Sequence, residues 1–416
     1  MIIKTLSLSN FRGIASMDLD FRPDINVFSG INGAGKSSVL EALAIMLSRL
    51  VGRICSTKGT GRFFAESDIR NGFREAVAEI EISYSGEDIG WRVSKTTKIS
   101  EKQTITNLEA LKTLASRVRE SLQEKKDTSL PVAAFYSVNR SVIDVPLRIK
   151  TKHRFDQIAA YDLALTGRRN DFRLFFEWFR KREDYENEMI RDNRRFVDPQ
   201  LKAVREAIEA FTRFTGLRIH RNPLRMEVIK NGKKYDIRQM SDGEKCHLAL
   251  IGDLARRLAI ANPGSKKALE EGTGVVLIDE IDLHLHPTWQ TMVIPQFTKI
   301  FPNCQFIVSS HSPLVLTHVK AESLFLFQQT EEGIIFKKPS ESYGKSADRI
   351  LEDFMGLKST RPDEVAERLS RIYRLIDRGA IKKAKGEISI LKQKIGADPE
   401  LAKADVLVKR REVIGR

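Results

Sequence analysis

Apolar and polar residues change rhythm several times along the chain. Ile25 to Phe28 form a short apolar run, and from about Ser37 the positions Val39, Leu40, Leu43 and Leu47 fall on one side of a helix. Ala78, Ile80, Ile82 and Tyr84 alternate with polar neighbours, the period-2 pattern of a half-buried strand, and Trp91 and Val93 continue a second strand after the turn Ser85-Gly86-Glu87-Asp88. Residues 100 to 130 are polar and rich in Lys and Glu, and Leu130 to Tyr136 return to strand. From about 150 to 215 the pattern is helical and highly charged, with Phe172, Phe175, Phe176 and Phe179 on one side. Leu224 to Ile229 and Tyr235 to Ile237 flank Asn231-Gly232, a hairpin signal. The runs Val275 to Ile278, Phe306 to Val308 and Leu324 to Phe327 read as buried strands separated by helices, the signature of a parallel sheet in an α/β fold. Past Asp363 the chain is helical again, with Val365, Leu369, Ile372 and Ile376 on one face and Gly379 and Gly396 as stops. No repeat recurs at a fixed period.

Composition narrows the class. Charged residues make up 30% of the 416 and apolar residues 41%, which is globular and excludes a mainly disordered or fibrous chain. No apolar run has the length of a membrane span, and MIIKTLSLSNFRGI reads as a first strand rather than a secretory signal. Cys55, Cys246 and Cys304 are odd in number and widely spaced, so a reducing cytoplasm is expected and a disulfide framework is not. The net charge of +15 favours a polyanionic partner, which nucleotide phosphates, a nucleic acid or an acidic protein would all satisfy.

Gly30 to Ser37, GINGAGKS, matches the P-loop pattern between a strand and a helix. Backbone N–H groups of Gly30, Asn32, Gly33, Ala34, Gly35, Lys36, Ser37 and Ser38 are candidates to converge on phosphate oxygens at a helix N-terminus. Lys36 would reach the β- and γ-phosphates of ATP, and Ser37 would ligate Mg²⁺. Val275 to Glu280, VVLIDE, is an apolar strand ending in two carboxylates. Asp279 would hold Mg²⁺ through water, and Glu280 would polarise the attacking water as general base. Met240 to Lys245, MSDGEK, opens a helix, and Ser241, Gly243 and Glu244 there make a second candidate anion site.

At this point the chain resembles the ATP-binding-cassette ATPases, in the branch that holds RecF, the SMC proteins and the OLD-type ATPases. The resemblance implies that MSDGEK is the signature element capping ATP on an opposing subunit, with Asp242 where the first signature glycine is expected. It implies that Ile281 to Pro287, IDLHLHP, is the D-loop, with Asp282 acting across a dimer and His284 and His286 packing behind it. A metal site at Asp282, His284 and His286 is the alternative. His311, in SSHSP (Ser309 to Pro313), resembles the switch histidine that contacts the γ-phosphate. Asn10 to Gly13, NFRG, resembles the segment of this branch in which Arg12 approaches the nucleotide. No glutamine fits the family's Q-loop, although Gln157 is available.

An SMC arm needs sustained heptads, which the insertion is too short to carry. An OLD nuclease needs a Toprim domain with an Asp-x-Asp pair, and past His311 no such pair occurs. FRLFFEWFRKREDYENE, the signature, DEIDLHLHP and the tail from Ser346 to Arg416 resemble the PtuA family, the ATPase component of Septu anti-phage systems, including the version attached to some retrons. That resemblance implies ATP and Mg²⁺ as cofactors, a homodimer or higher oligomer through composite ATP sites, and a separate HNH nuclease partner. Four regions are expected: 1–150, the first part of the cassette; 151–222, an inserted charged helical lobe; 223–345, the second part; and 346–416, a helical extension. The Phe172 to Phe179 stripe reads either as helix core or as a docking surface, and the helices past Asp363 either as a sheet cover or as the docking site. A RecF-like DNA-binding repair ATPase and a non-hydrolysing scaffold remain alternatives.

Overall fold

The computed structural model describes residues 1–97, 106–124, 128–141, 156–167 and 172–414. The boundary expected at 150/151 lies outside the described residues. Two large sheets and a smaller three-stranded one organise the described residues before 346. The first is antiparallel, in the order β2-β1-β4-β5, from β1 (Ile2–Phe11), β2 (Ile14–Asp20), β4 (Glu75–Tyr84) and β5 (Glu87–Thr96). Its alternation is the one expected: Ala76, Ala78, Ile80 and Ile82 are fully buried, while the residues between them face outward.

The second sheet has the order β13-β12-β3-β11-β10-β6, from β3 (Ile25–Gly30), β6 (Val132–Tyr136), β10 (Gly274–Ile278), β11 (Cys304–Ser309), β12 (Leu324–Thr330) and β13 (Gly333–Lys337). All its pairings are parallel except β12 with β13, which closes one edge as a hairpin. Its inner strands are buried and mainly apolar, with Asn26, Ser29, Gln305 and Ser309 as buried polar exceptions. Helix α1 (Lys36–Cys55) follows β3, and α5 (Asp242–Ala261) precedes β10. Gln305 on β11 stitches the sheets together: its Oε1 accepts the Ile3 N–H at 2.7 Å and its Nε2 donates to the Ile3 carbonyl at 2.8 Å.

Charge concealed two elements. Residues 109–124 form α2 (Glu109–Glu124), whose Leu111, Leu114, Ala115 and Val118 make a buried stripe under a polar surface. The tail of the stretch expected to be helical is β7 (Thr215–Arg221), which pairs with the hairpin β8 (Leu224–Lys230) and β9 (Lys233–Asp236); only its alternate Leu217 and Ile219 are buried, between charged residues. Within the same stretch lie α3 (Phe172–Asp192) and α4 (Pro199–Thr212). They are packed into the cassette rather than hung from it. Phe175, Phe176, Trp178 and Phe179 are buried, and a Cβ on Gly252 of α5 would stand 2.9 Å from the Phe175 ring. The charged side of α3 is tied down too, with Glu183 accepting the Ile219 N–H of β7 at 3.1 Å and Glu186 accepting the Asp198 N–H at the start of α4 at 3.0 Å. The aromatic stripe is therefore core rather than a docking surface. Short helices α6 (Ala268–Glu271), α7 (Pro287–Gln290), α8 (Val293–Ile300) and α9 (Pro313–Leu316) occupy the later connections.

Residues Met1–Lys345 make one compact unit and Ser346–Arg416 a second. The second contains α10 (Ala347–Met355), α11 (Asp363–Asp377), α12 (Ile381–Ile395) and α13 (Pro399–Ile414). Leu369, Ile372 and Ile376 of α11 are buried against Ala384, Ile388 and Leu391 of α12 and Leu401, Ala404 and Val408 of α13. The apolar stripe expected to dock a partner is thus consumed by this unit's own three-helix core. Apolar faces on three amphipathic helices satisfy one another before they can serve anything else.

Candidate active site

The strand order creates the site. With β11 between β3 and β10, the carboxyl ends of three neighbouring parallel strands lie side by side, where ligands bind in open α/β sheets. The P-loop leaves β3, the acidic pair leaves β10, and the segment holding His311 leaves β11. One cleft is lined by Asn32, Gly33, Gly35, Lys36, Ser37, Ser38, Asp279, Glu280 and His311. Gly30 ends β3 just below it, and Ala34 is buried within the loop.

The loop has the backbone that an anion cradle needs. Gly33 and Gly35 hold φ of +80 and +92, a region that favours glycine, and a Cβ on Gly35 would stand 2.8 Å from the Ile334 side chain. Lys36 folds back over the loop, its Nζ donating to the Gly30 and Ile31 carbonyls at 2.8 and 2.9 Å. Burial lowers its pKa, and the carboxylates of Asp279, Glu280 and Asp282 oppose that shift. A buried ammonium at a glycine-rich helix start fits a polyphosphate, and the hydroxyl and carboxylate oxygens of Ser37 and Asp279 are the hard donors that suit Mg²⁺.

The acidic pair is held from both sides. The Asp279 N–H donates to the Tyr136 carbonyl of β6 at 2.8 Å. Ser309 on β11 donates its hydroxyl to Asp279 Oδ1 at 2.5 Å and accepts the Glu280 N–H at 2.7 Å. Glu280 itself sits at φ 49°, a sparsely populated conformation for a residue with a side chain. His311 donates its backbone N–H to Asp282 Oδ1 at 3.4 Å. Burial and the nearby Lys36 push the His311 pKa below its usual value against the pull of Asp282, Glu280 and Asp279, which favours the neutral imidazole.

The remaining candidates stand apart from this cleft. Ser241 caps α5 reciprocally with Glu244: its N–H donates to Glu244 Oε2 at 3.1 Å, and its hydroxyl oxygen accepts the Glu244 N–H at 3.4 Å. Burial raises the Glu244 pKa, but Lys230 and Ser241 outweigh it and hold the carboxylate ionised. The helix start read as a free anion site thus carries the chain's own anion. Gly243 owes its identity to packing, since a Cβ there would stand 2.1 Å from the His284 carbonyl oxygen. Arg12 donates from Nε to Asp68 at 2.8 Å and lines a neighbouring pocket with Gly13, Ser67, Arg70, Asn71 and Gly333, not the P-loop cleft. His286 caps α7 through Nδ1, and among the described residues no group of three or more His, Cys, Asp or Glu is placed to hold a metal. Gln157 is fixed far back, donating to the Ala261 carbonyl at 2.8 Å. Ser309 escaped the sequence reading; its only signal was a polar residue ending an otherwise apolar strand, FIVSS.

Sheet, loop and cleft together define a P-loop ATPase. A family model described as an AAA domain, putative AbiEii toxin, Type IV TA system, matches residues 25–317. The chain is 30% identical to the retron Ec83 probable ATPase of Escherichia coli over 96% of its own length and 84% of the relative's. It is 29% identical to the retron Vc95 probable ATPase of Vibrio cholerae serotype O1 biovar El Tor, covering 91% of this chain and 84% of that one. It is 25% identical to the Septu protein PtuA of Bacillus thuringiensis, covering 91% and 90%. The chain belongs to this AAA-domain family and, within it, to the family of the retron Ec83 ATPase.

Proposed function

We propose that the chain is the ATP-binding and hydrolysing subunit of an anti-phage defence complex, switching through ATP-dependent dimerisation and controlling a separate HNH nuclease. The observation that carries this reading is the single cleft joining Lys36, Asp279, Glu280 and His311 in a member of the retron Ec83 ATPase family. In this reading the P-loop amides and Lys36 hold the triphosphate, and Ser37 and Asp279 would hold Mg²⁺, which would supply charge neutralisation of the phosphates. Glu280 orients and deprotonates water, and neutral His311 hydrogen-bonds the γ-phosphate oxygen. Composite sites are supported by the absence of Ser241 and Gly243 from the lining of the P-loop cleft, while Asp282 stands at its edge, its Oδ1 accepting the His311 N–H. A γ-phosphate brought by a second copy would take over the helix start that Glu244 now caps. In this reading the pocket lined by Arg12 and Arg70 would take the rest of the nucleotide, the two guanidiniums supplying positive charge.

The test mixes Lys36→Ala chains, which cannot hold ATP, with Ser241→Arg chains, which cannot cap it. Mixed dimers should regain at most one working site, and each variant alone should be inactive. Unchanged hydrolysis and association by Ser241→Arg alone would remove the composite site. Purification from the native operon tests the partner, because co-elution of an HNH protein is expected. The charge of +15 keeps a second reading in play, a DNA-binding repair ATPase, which instead predicts salt-dependent, ATP-stimulated DNA binding by the chain alone.

A further inference from the structure

The fully buried Ser309 belongs to neither the P-loop nor the acidic pair, yet it touches both carboxylate residues. We infer that Ser309 is a positioning residue for hydrolysis, holding Glu280 in its left-handed conformation while it fixes Asp279. This inference rests on Glu280 being the general base.

A hydroxyl can donate one hydrogen bond and accept two, and a buried one is costly unless it is used. Ser309 spends its donor on Asp279 Oδ1 at 2.5 Å and accepts the Glu280 N–H at 2.7 Å. Its backbone carbonyl takes the next amide, the Ile281 N–H, at 2.9 Å. One residue of β11 therefore brackets three consecutive positions beyond the end of β10. Glu280 lies at the middle of that bracket with φ 49°. Such a conformation persists only where the surroundings over-determine it, and it sets where the carboxylate points. The hydroxyl also ties the two acids together: a shift of Asp279 moves Ser309, and Ser309 holds the Glu280 amide. Alanine would keep the strand and lose both side-chain bonds.

The experiment compares wild type, Ser309→Ala, Ser309→Thr and Glu280→Gln by single-turnover ATP hydrolysis, equilibrium ATP affinity with and without Mg²⁺, thermal unfolding, and amide exchange at Glu280 and Ile281. Ser309→Ala should slow hydrolysis about ten- to hundredfold, the scale of a reacting group misplaced by about 1 Å. ATP affinity should stay near wild type, and the Glu280 amide should exchange faster. Ser309→Thr, which keeps the hydroxyl, should recover most of the rate. Wild-type hydrolysis by Ser309→Ala, with Glu280→Gln inactive, would overturn the positioning role and leave the base intact. Parallel loss of rate, ATP affinity and thermal stability in Ser309→Ala would overturn it in favour of a purely structural serine. Normal turnover by Glu280→Gln would instead overturn the assignment of the base, and the positioning role with it.

Discussion

The same substitution at two helical glycines should have opposite signs. In α5, a Cβ on Gly243 would lie 2.1 Å from the His284 carbonyl oxygen and 3.2 Å from its carbonyl carbon. Ordinary contact therefore requires the helix start and the loop after Glu280 to separate by roughly 1 Å, and neither side can yield by turning a side chain. His284 already has φ 60°, so its loop has little freedom left. In α12, a Cβ on Gly386 would meet nothing within 4 Å. Alanine in a helix interior is worth about 1 kcal/mol over glycine, whereas overpacking costs about 1–3 kcal/mol. Gly243→Ala should therefore destabilise Met1–Lys345 by up to about 2 kcal/mol net, and Gly386→Ala should stabilise Ser346–Arg416 by about 1 kcal/mol. Denaturant unfolding, with hydrogen exchange to assign each change to its unit, reads both. In Gly243→Ala hydrolysis should fall more than ATP affinity, because the displaced loop follows Glu280 and not the P-loop. A Gly243→Ala chain as stable and active as wild type would show that α5 is not seated on the His284 loop. A destabilised Gly386→Ala chain would show that the α12 face is not open.

Phe175→Ala should cost about 3–5 kcal/mol, since its ring is buried against Gly252 of α5, and chemical denaturation would measure it; a loss under 1 kcal/mol would return the stripe to the surface. Burial alone would raise the Asp253 pKa, but Arg257 and Arg256 hold it down to about 2. Its stabilising charge is complete above the usual value of 3.8 and is lost as the pH falls from there toward 2. Asp253→Asn should therefore flatten the acid limb of the stability profile and cost about 3–5 kcal/mol at pH 7 by stranding two buried guanidiniums. A chain ending at Lys345 should stay folded and bind ATP with unchanged affinity, because the Leu369, Ile372 and Ile376 core belongs to the unit removed; aggregation of that chain would mean that the tail is needed as a cover.

Spacing made the nucleotide chemistry legible. A glycine-rich turn between an apolar run and a helix, two acids ending another run, and a histidine after a third are local patterns. Backbone rules attach their chemistry to them without reference to the rest of the fold. Alternation likewise located β4, and the apolar runs located β10, β11 and β12. Which strand lies next to which is a global matter, because the pairing of parallel strands leaves no mark within any one of them. The placement of β11 between β3 and β10 brings His311 to Lys36, and it lets Ser309 reach both Asp279 and Glu280. A charged or apolar residue, moreover, does not carry its own partner in its sequence. The tertiary fold alone turned Phe172 to Phe179 and Val365 to Ile376 into interior stripes, gave Glu244 to the cap of α5, and paired Arg12 with Asp68. Burial is settled by which surfaces meet, and that depends on residues far apart in the chain.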